Sequence, residues 1–162
     1  MGREIYCEIR KKGYDPESPN PLWCSVNMNE DFVCGRDDAT NFIAMLASDD
    51  EKDDWAIPIG RDPKQRLYIL KELRAYAKKD EREVDKAKRE KRDLLAARRC
   101  ATKFEDFASF SAAIEETEQW LEENESWSRA QALIDMIDVS VEEFSSHPLK
   151  YRDCDLYLVV SE

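Results

Sequence analysis

Glycine is scarce in this chain, with Gly2, Gly13, Gly35 and Gly60 the only four among 162 residues. Nucleotide-binding loops bring backbone amides against phosphates and need clustered glycine, so P-loop and dinucleotide-binding folds are excluded. Histidine is scarcer still. His147 is the only one, and a Ser-His-Asp or Cys-His relay would rest on that residue beside Pro148, with no G-x-S-x-G elbow to accompany it. A helix-terminal histidine near the last carbonyls is the plainer reading. Five cysteines, Cys7, Cys24, Cys34, Cys100 and Cys154, form an odd set without a C-x-x-C pair. They offer neither the short-spaced pair of a zinc site nor the even framework of a disulfide-stapled secreted domain, and no signal peptide is recognisable ahead of them. A reduced, cytoplasmic protein is the expectation. No apolar run approaches the ~20 residues that cross a bilayer.

Charge is abundant, at 38% of residues and a formal net of −11. Residues 61–103 carry 16 Lys/Arg against 8 Asp/Glu, whereas residues 104–162 carry 3 against 15 and the first sixty carry 6 against 13. So acidic a chain disfavours nucleic acid and anionic lipid as bulk ligands. Its 42% hydrophobic content still supplies area for a folded core. Residues 64–147 hold neither glycine nor proline, which predicts a long helical array.

The elements read as α+β, a small antiparallel sheet packed with about four helices. Ile5, Cys7 and Ile9 alternate with Tyr6, Glu8 and Arg10, the period of a half-buried strand. After a Gly/Pro-rich loop, Leu22, Cys24, Val26 and Met28 alternate with Trp23, Ser25 and Asn27. That predicts a hairpin whose cysteines face the core and whose Trp23 faces outward. Phe32–Cys34 reads as a short third strand. Asp37 or Asp38 caps a helix carrying Phe42, Ile43, Leu46 and Ala47. Trp55, Ile57 and Ile59, interrupted by Pro58, read as an edge segment.

Asp62 as N-cap, Pro63 at the first helical position and Gln65 at the third open a long helix, about residues 63–99. Thr102 with Glu105 predicts the next cap, Ser128 with Gln131 a third, and Ser140 with Glu143 a short fourth. Cys154, Leu156, Leu158 and Val160 predict a final strand joining the N-terminal hairpin. The whole reads as one domain, residues 1–162, with residues 63–125 as a projecting helical hairpin. About half of the long helix is expected to overhang its partner helix, an opening for homodimerisation.

Catalytic, cofactor and metal sites are not expected. The run Asp49, Asp50, Glu51, Asp53 and Asp54 lacks the ligand alternation and central glycine of a calcium loop. Asp50-Glu51-Lys52 matches the D-x-K tail of metal-dependent nucleases without an identifiable upstream carboxylate, and a solvated acidic loop is the plainer reading. The basic stretch from Lys78 to Arg99 could meet phosphates. Its interleaved acids at i,i+3 and i,i+4, and the glutamate face of the following helix, point instead to internal neutralisation. For a protein partner with a basic surface, the candidate contacts are Asp49, Asp50, Glu51, Asp53, Asp54, Glu115, Glu118 and Glu122.

Met1-Gly2-Arg3-Glu4-Ile5-Tyr6, then Trp23, then Gly35-Arg36-Asp37-Asp38 leading into Phe42-Ile43-Ala44-Met45-Leu46-Ala47, resemble a group of small uncharacterised phage and prophage proteins. Those open M-G-x-D-I-H, carry a G-R-x-Y-x-L-F-x-x-L-A helix start and close on a hydrophobic strand. Arg3-Glu4 stands where the group has Cys-Asp, Tyr6 where it has His, and Asp38 where it has Tyr. The resemblance implies a phage origin, hence the cytoplasm of a bacterial host, and a host-directed role. An acidic, non-enzymatic inhibitor that occupies a basic nucleic-acid channel on a host or defence protein, as anti-CRISPR-type inhibitors do, is the expectation. A small-ligand or nucleotide-signal sponge, and a metal-dependent nuclease, are the alternatives.

Overall fold

Alternation in the first residues builds the apolar face of the sheet. Strand β1 (Glu4–Lys11) buries Ile5, Cys7 and Ile9 on one side, as period-2 spacing dictates. The computed structural model describes residues 4–29, 38–48, 55–126 and 128–161. In it β1 pairs antiparallel with the last strand, β5 (Cys154–Ser161), from Glu4↔Ser161 to Lys11↔Cys154. Leu156, Leu158 and Val160 stand opposite Ile9, Cys7 and Ile5, so the first and last strands share the core. Strand β4 (Ala56–Pro58) lies on the far side of β5. Pro58 sits there without cost to the ladder because this is the sheet edge.

Two short strands, β2 (Trp23–Cys24) and β3 (Met28–Asn29), hold the other side of β1. Glu8 faces Cys24 while Ile5 faces Met28, so three steps along β1 match four along its partner. The extra residue is a β-bulge. Ser25 bridges it, its Oγ accepting from the Cys7 N–H at 2.8 Å and its N–H donating to the Cys7 carbonyl at 2.9 Å. One inserted residue reverses the facing of everything before it. That corrects the expected facing of the hairpin. Cys24 and Leu22 are exposed, Val26 is 86% exposed, and Trp23 stands opposite Ile9 on the apolar side. The third strand expected at Phe32–Cys34 lies outside the described residues.

Helices α1 (Asp38–Ser48) and α4 (Arg129–Ser146) cover the apolar face, burying Ile43, Ala44 and Ala47 from one and Leu133, Ile134 and Ile137 from the other. Helix α2 (Pro63–Cys100) runs 38 residues. Its start is the predicted one, with the Gln65 N–H donating to Asp62 Oδ1 at 3.1 Å. Helix α3 (Phe104–Asn124) departs from expectation, because Lys103 is its N-cap and makes no side-chain cap bond. The Thr102–Glu105 box therefore does not form: the helix begins one residue late for it, leaving Glu105 in the second position instead of the third. Nor does a helix start at Ser140. Its Oγ donates to the Met136 carbonyl at 2.6 Å, a bond made within a continuing helix, so α4 runs unbroken. The described residues make an α+β molecule with a small antiparallel sheet and four helices, one of them long.

The chain divides into two compact units, Met1–Tyr76 with Arg129–Glu162, and Ala77–Ser128. The first holds the sheet, α1, α4 and the opening of α2. The second holds the rest of α2 and α3. The opening of α2, residues 63–76, belongs to the first unit and buries Ile69, Leu70 and Leu73. Among the described residues no helix is long and apolar enough to cross a membrane.

Candidate functional site

In the second unit, α2 and α3 meet along a thin apolar seam. Val84 and Ala87 of α2 bury against Leu121 of α3, with Trp120 packed alongside. Further along, the Arg98 guanidinium lies 5.6 Å from the Phe107 ring centre and reaches Ser111 Oγ at 3.5 Å. Asp80 is buried, and Ser128 Oγ donates to its Oδ2 at 2.6 Å. Charged side chains flank the seam.

The two edges differ. At about 100° per residue, Lys88 and Lys91 of α2 and Glu118 and Glu125 of α3 fall on one side of the core. Lys88 Nζ meets Glu125 at 2.7 Å and Lys91 Nζ meets Glu118 at 3.2 Å. The Glu125 hydrogen bond and charge raise the Lys88 ammonium above its ordinary value. On the opposite side stand Glu83, Lys86 and Glu90 of α2 with Glu116 and Trp120 of α3. There the seam opens into a groove of about 300 Å³, floored by Ala87 and Thr117. On that side Lys86 Nζ lies 3.9 Å from Glu90 of the same helix.

Of the residues named from sequence, Asp49, Asp50, Glu51, Asp53 and Asp54 lie outside the described residues. Glu115, Glu118 and Glu122 all lie exposed on α3, and they do not act alike. Glu118 is engaged by Lys91, whereas Glu115 and Glu122 lie further round the same side of α3, facing outward. The groove at Glu83, Glu90, Glu116 and Trp120 was not anticipated. Its signal is present in the sequence as two stripes, Glu83, Lys86 and Glu90 at i, i+3 and i+7, and Glu116 with Trp120 at i and i+4.

The first unit carries a separate polar cluster. Glu8, assigned by alternation to the solvent side, is only 4% exposed. Arg10 Nε donates to its Oε2 at 2.8 Å, Tyr14 OH donates to the same oxygen at 3.0 Å, and Cys24 Sγ lies 3.7 Å from Oε1. Arg10 also donates to the Asp15 and Ser18 carbonyls at 3.2 Å. Tyr14 packs edge-on to Tyr157, whose hydroxyl accepts from the Gly13 N–H. The loop is thereby latched over the outer face of the sheet. Burial, then the Glu8 charge, push the Tyr14 phenol upward and the Cys24 thiol up to about 11. Both stay protonated near neutrality as donors to Glu8, so Cys24 is not an activated nucleophile.

Cys7 and His147 belong to the same unit. Burial pushes Cys7 up to about 12. His147 Nε2 lies 3.6 Å from Glu143, which also accepts from Tyr151 OH at 2.7 Å. Among the described residues no three or more His, Cys, Asp or Glu side chains gather as metal ligands would. No family model matches the chain, and neither a curated protein nor a solved structure matches it.

Proposed function

We propose that the protein is a non-enzymatic, phage-encoded binding module whose acidic helix α3 occupies a basic, nucleic-acid-binding surface on a host or defence protein. The observation that carries this reading is how charge is disposed in α2 and α3. The lysines that face α3 are engaged by Glu118 and Glu125, while Glu115 and Glu122 remain exposed on the outer side. Negative charge held outward on a rigid helix steers a basic partner and fixes its register, an effect that salt weakens. The residue pattern shared with small phage proteins supports the phage origin.

The test is capture from a nuclease-treated bacterial lysate on the immobilised full chain. It is run at about 100 mM and about 500 mM salt, across which surface electrostatics are progressively screened. The double variant Glu115→Lys/Glu122→Lys runs in parallel. A prey held by the wild type at low salt, released at high salt and not held by the variant is the expected result. Prey held equally by the variant, or indifferent to salt, contradicts the reading.

A further inference from the structure

Resting on the acidic-module reading, we infer that the acidic side of α3 is covered in the free protein by a second copy of this chain, whose basic α2 lies along it until the partner displaces it. Charge in the second unit is divided by helix. Residues 77–103 carry 11 Lys/Arg against 6 Asp/Glu, whereas residues 104–128 carry 8 Asp/Glu and no Lys/Arg. A hairpin of one basic and one acidic helix is complementary to itself. A two-fold axis along the hairpin lays α2 of each copy against α3 of the other, the same contact made twice. Those helices then run antiparallel, as α2 and α3 do within one copy.

The match extends to single residues. On the side that holds the Lys88–Glu125 and Lys91–Glu118 pairs, Arg92 and Arg99 stand further round α2, and Phe104, Glu115 and Glu122 further round α3, all at spacings near whole turns. All five are exposed. Lys91 against Glu118, and Arg98 against Ser111, set the level of one helix on the other. Rotation about an axis along the hairpin keeps those levels. At about 1.5 Å per residue, Glu115 comes within one turn of Arg92 of the second copy, Glu122 of its Lys88 and Phe107 of its Arg99. Phe104 and Phe107 are 83% and 47% exposed, and their rings add the apolar area that exposed ion pairs lack. A basic partner has only to match the acids of α3. The second copy matches the acids, the arginines and the aromatic tip together, which fixes it as the occupant. A contact built chiefly from exposed pairs is weak and salt-sensitive, as a displaceable cover must be.

The test is sedimentation equilibrium of the full chain at about 100 mM and about 500 mM salt, with circular dichroism showing that each variant keeps its helices. The wild type is expected to be a monomer–dimer mixture with a Kd on the order of 10 μM at the lower salt, weakened at least about threefold at the higher. Glu115→Lys/Glu122→Lys and Arg92→Glu/Arg99→Glu are each expected to weaken association at least about tenfold, because each sets like charges across both contacts. Mixed one to one, the two variants are expected to associate within about threefold of the wild type, since opposite charges then face each other at both contacts. A wild type still monomeric at about 200 μM, variants that associate as the wild type does, or a mixture no tighter than its components overturns the cover and leaves the acidic-module reading in place. Arg92→Glu/Arg99→Glu keeps the acids of α3 and is expected to hold at least as much prey in the lysate capture as the wild type. Prey lost from that variant would make the arginines part of the partner's contact and overturn the cover. The acidic-module reading fails separately, if a wild type that dimerises as described captures no salt-sensitive prey.

Discussion

Replacing Glu8 by glutamine removes the charge that Arg10, Tyr14 and Cys24 all address. Leaving the half-buried Arg10 without its carboxylate is expected to cost about 1–3 kcal/mol, read as a lowered urea midpoint. The same change removes one cause of the raised Cys24 thiol, so Cys24 in the folded variant alkylates faster near pH 9 than in the wild type, as peptide mass spectrometry reports. An unchanged rate would mean that Glu8 does not govern the thiol. Alkali acts in the same direction. Cys7 at about 12 against 9.0, Cys24 at about 11 against 9.0 and Tyr151 at about 12 against 10.0 are all held protonated by the fold, burial being the largest cause in each. The unfolded chain releases these protons first. Their contribution is therefore whole below about pH 9 and declines as pH climbs towards about 12. Thermal melts should fall across that window, and a flat profile would contradict it. Gly60 is held by close approach, since a Cβ there would meet Leu156 N and Cβ at 2.8 Å. Gly60→Ala is expected to cost about 1–3 kcal/mol. Period 2 identified Glu8's side of the strand correctly. It carried no information on depth, because the Lys11–Leu22 loop that covers that side folds back through Arg10 and Tyr14.

At the scale of elements, the two ends of the α2–α3 hairpin make a matched test. Asp62→Ala removes an observed cap bond and should lower stability by about 1 kcal/mol. Thr102→Ala removes nothing the helix uses and should stay within about 0.5 kcal/mol. Equal losses would mean that the Thr102 box forms after all. Denaturant midpoints at equal slope decide. The start of α2 was legible because cap, proline and third-position glutamine agree on one residue. The start of α3 was not, because residues 101–103 form a tight link whose geometry is set by closing the hairpin, with the Ala101 N–H turned back to the Arg98 carbonyl. The hairpin of β2 and β3 misled for a related reason. An uninterrupted alternation from Leu22 to Met28 hides a bulge, since the inserted residue changes phase without changing composition.

For the whole molecule, the inversion of charge between residues 61–103 and 104–162 was legible as two helices that balance one another. Which acids do the balancing was not. The sequence places Glu115, Glu118 and Glu122 on one stripe, and only the pairing of helices separates Glu118, engaged by Lys91, from its two neighbours. The groove at Trp120 depends on the same fact, for an edge exists only once two helices are side by side. The central claim is that the outward negative charge of this hairpin is what a basic protein partner binds. The most direct measurement is the affinity of the purified, captured partner for the wild type and for Glu115→Lys/Glu122→Lys as salt rises from about 50 to about 500 mM. The account predicts binding by the wild type that weakens steeply with salt, and binding by the variant that is at least about tenfold weaker at low salt, with a shallower salt dependence. Equal affinities and equal slopes would contradict it.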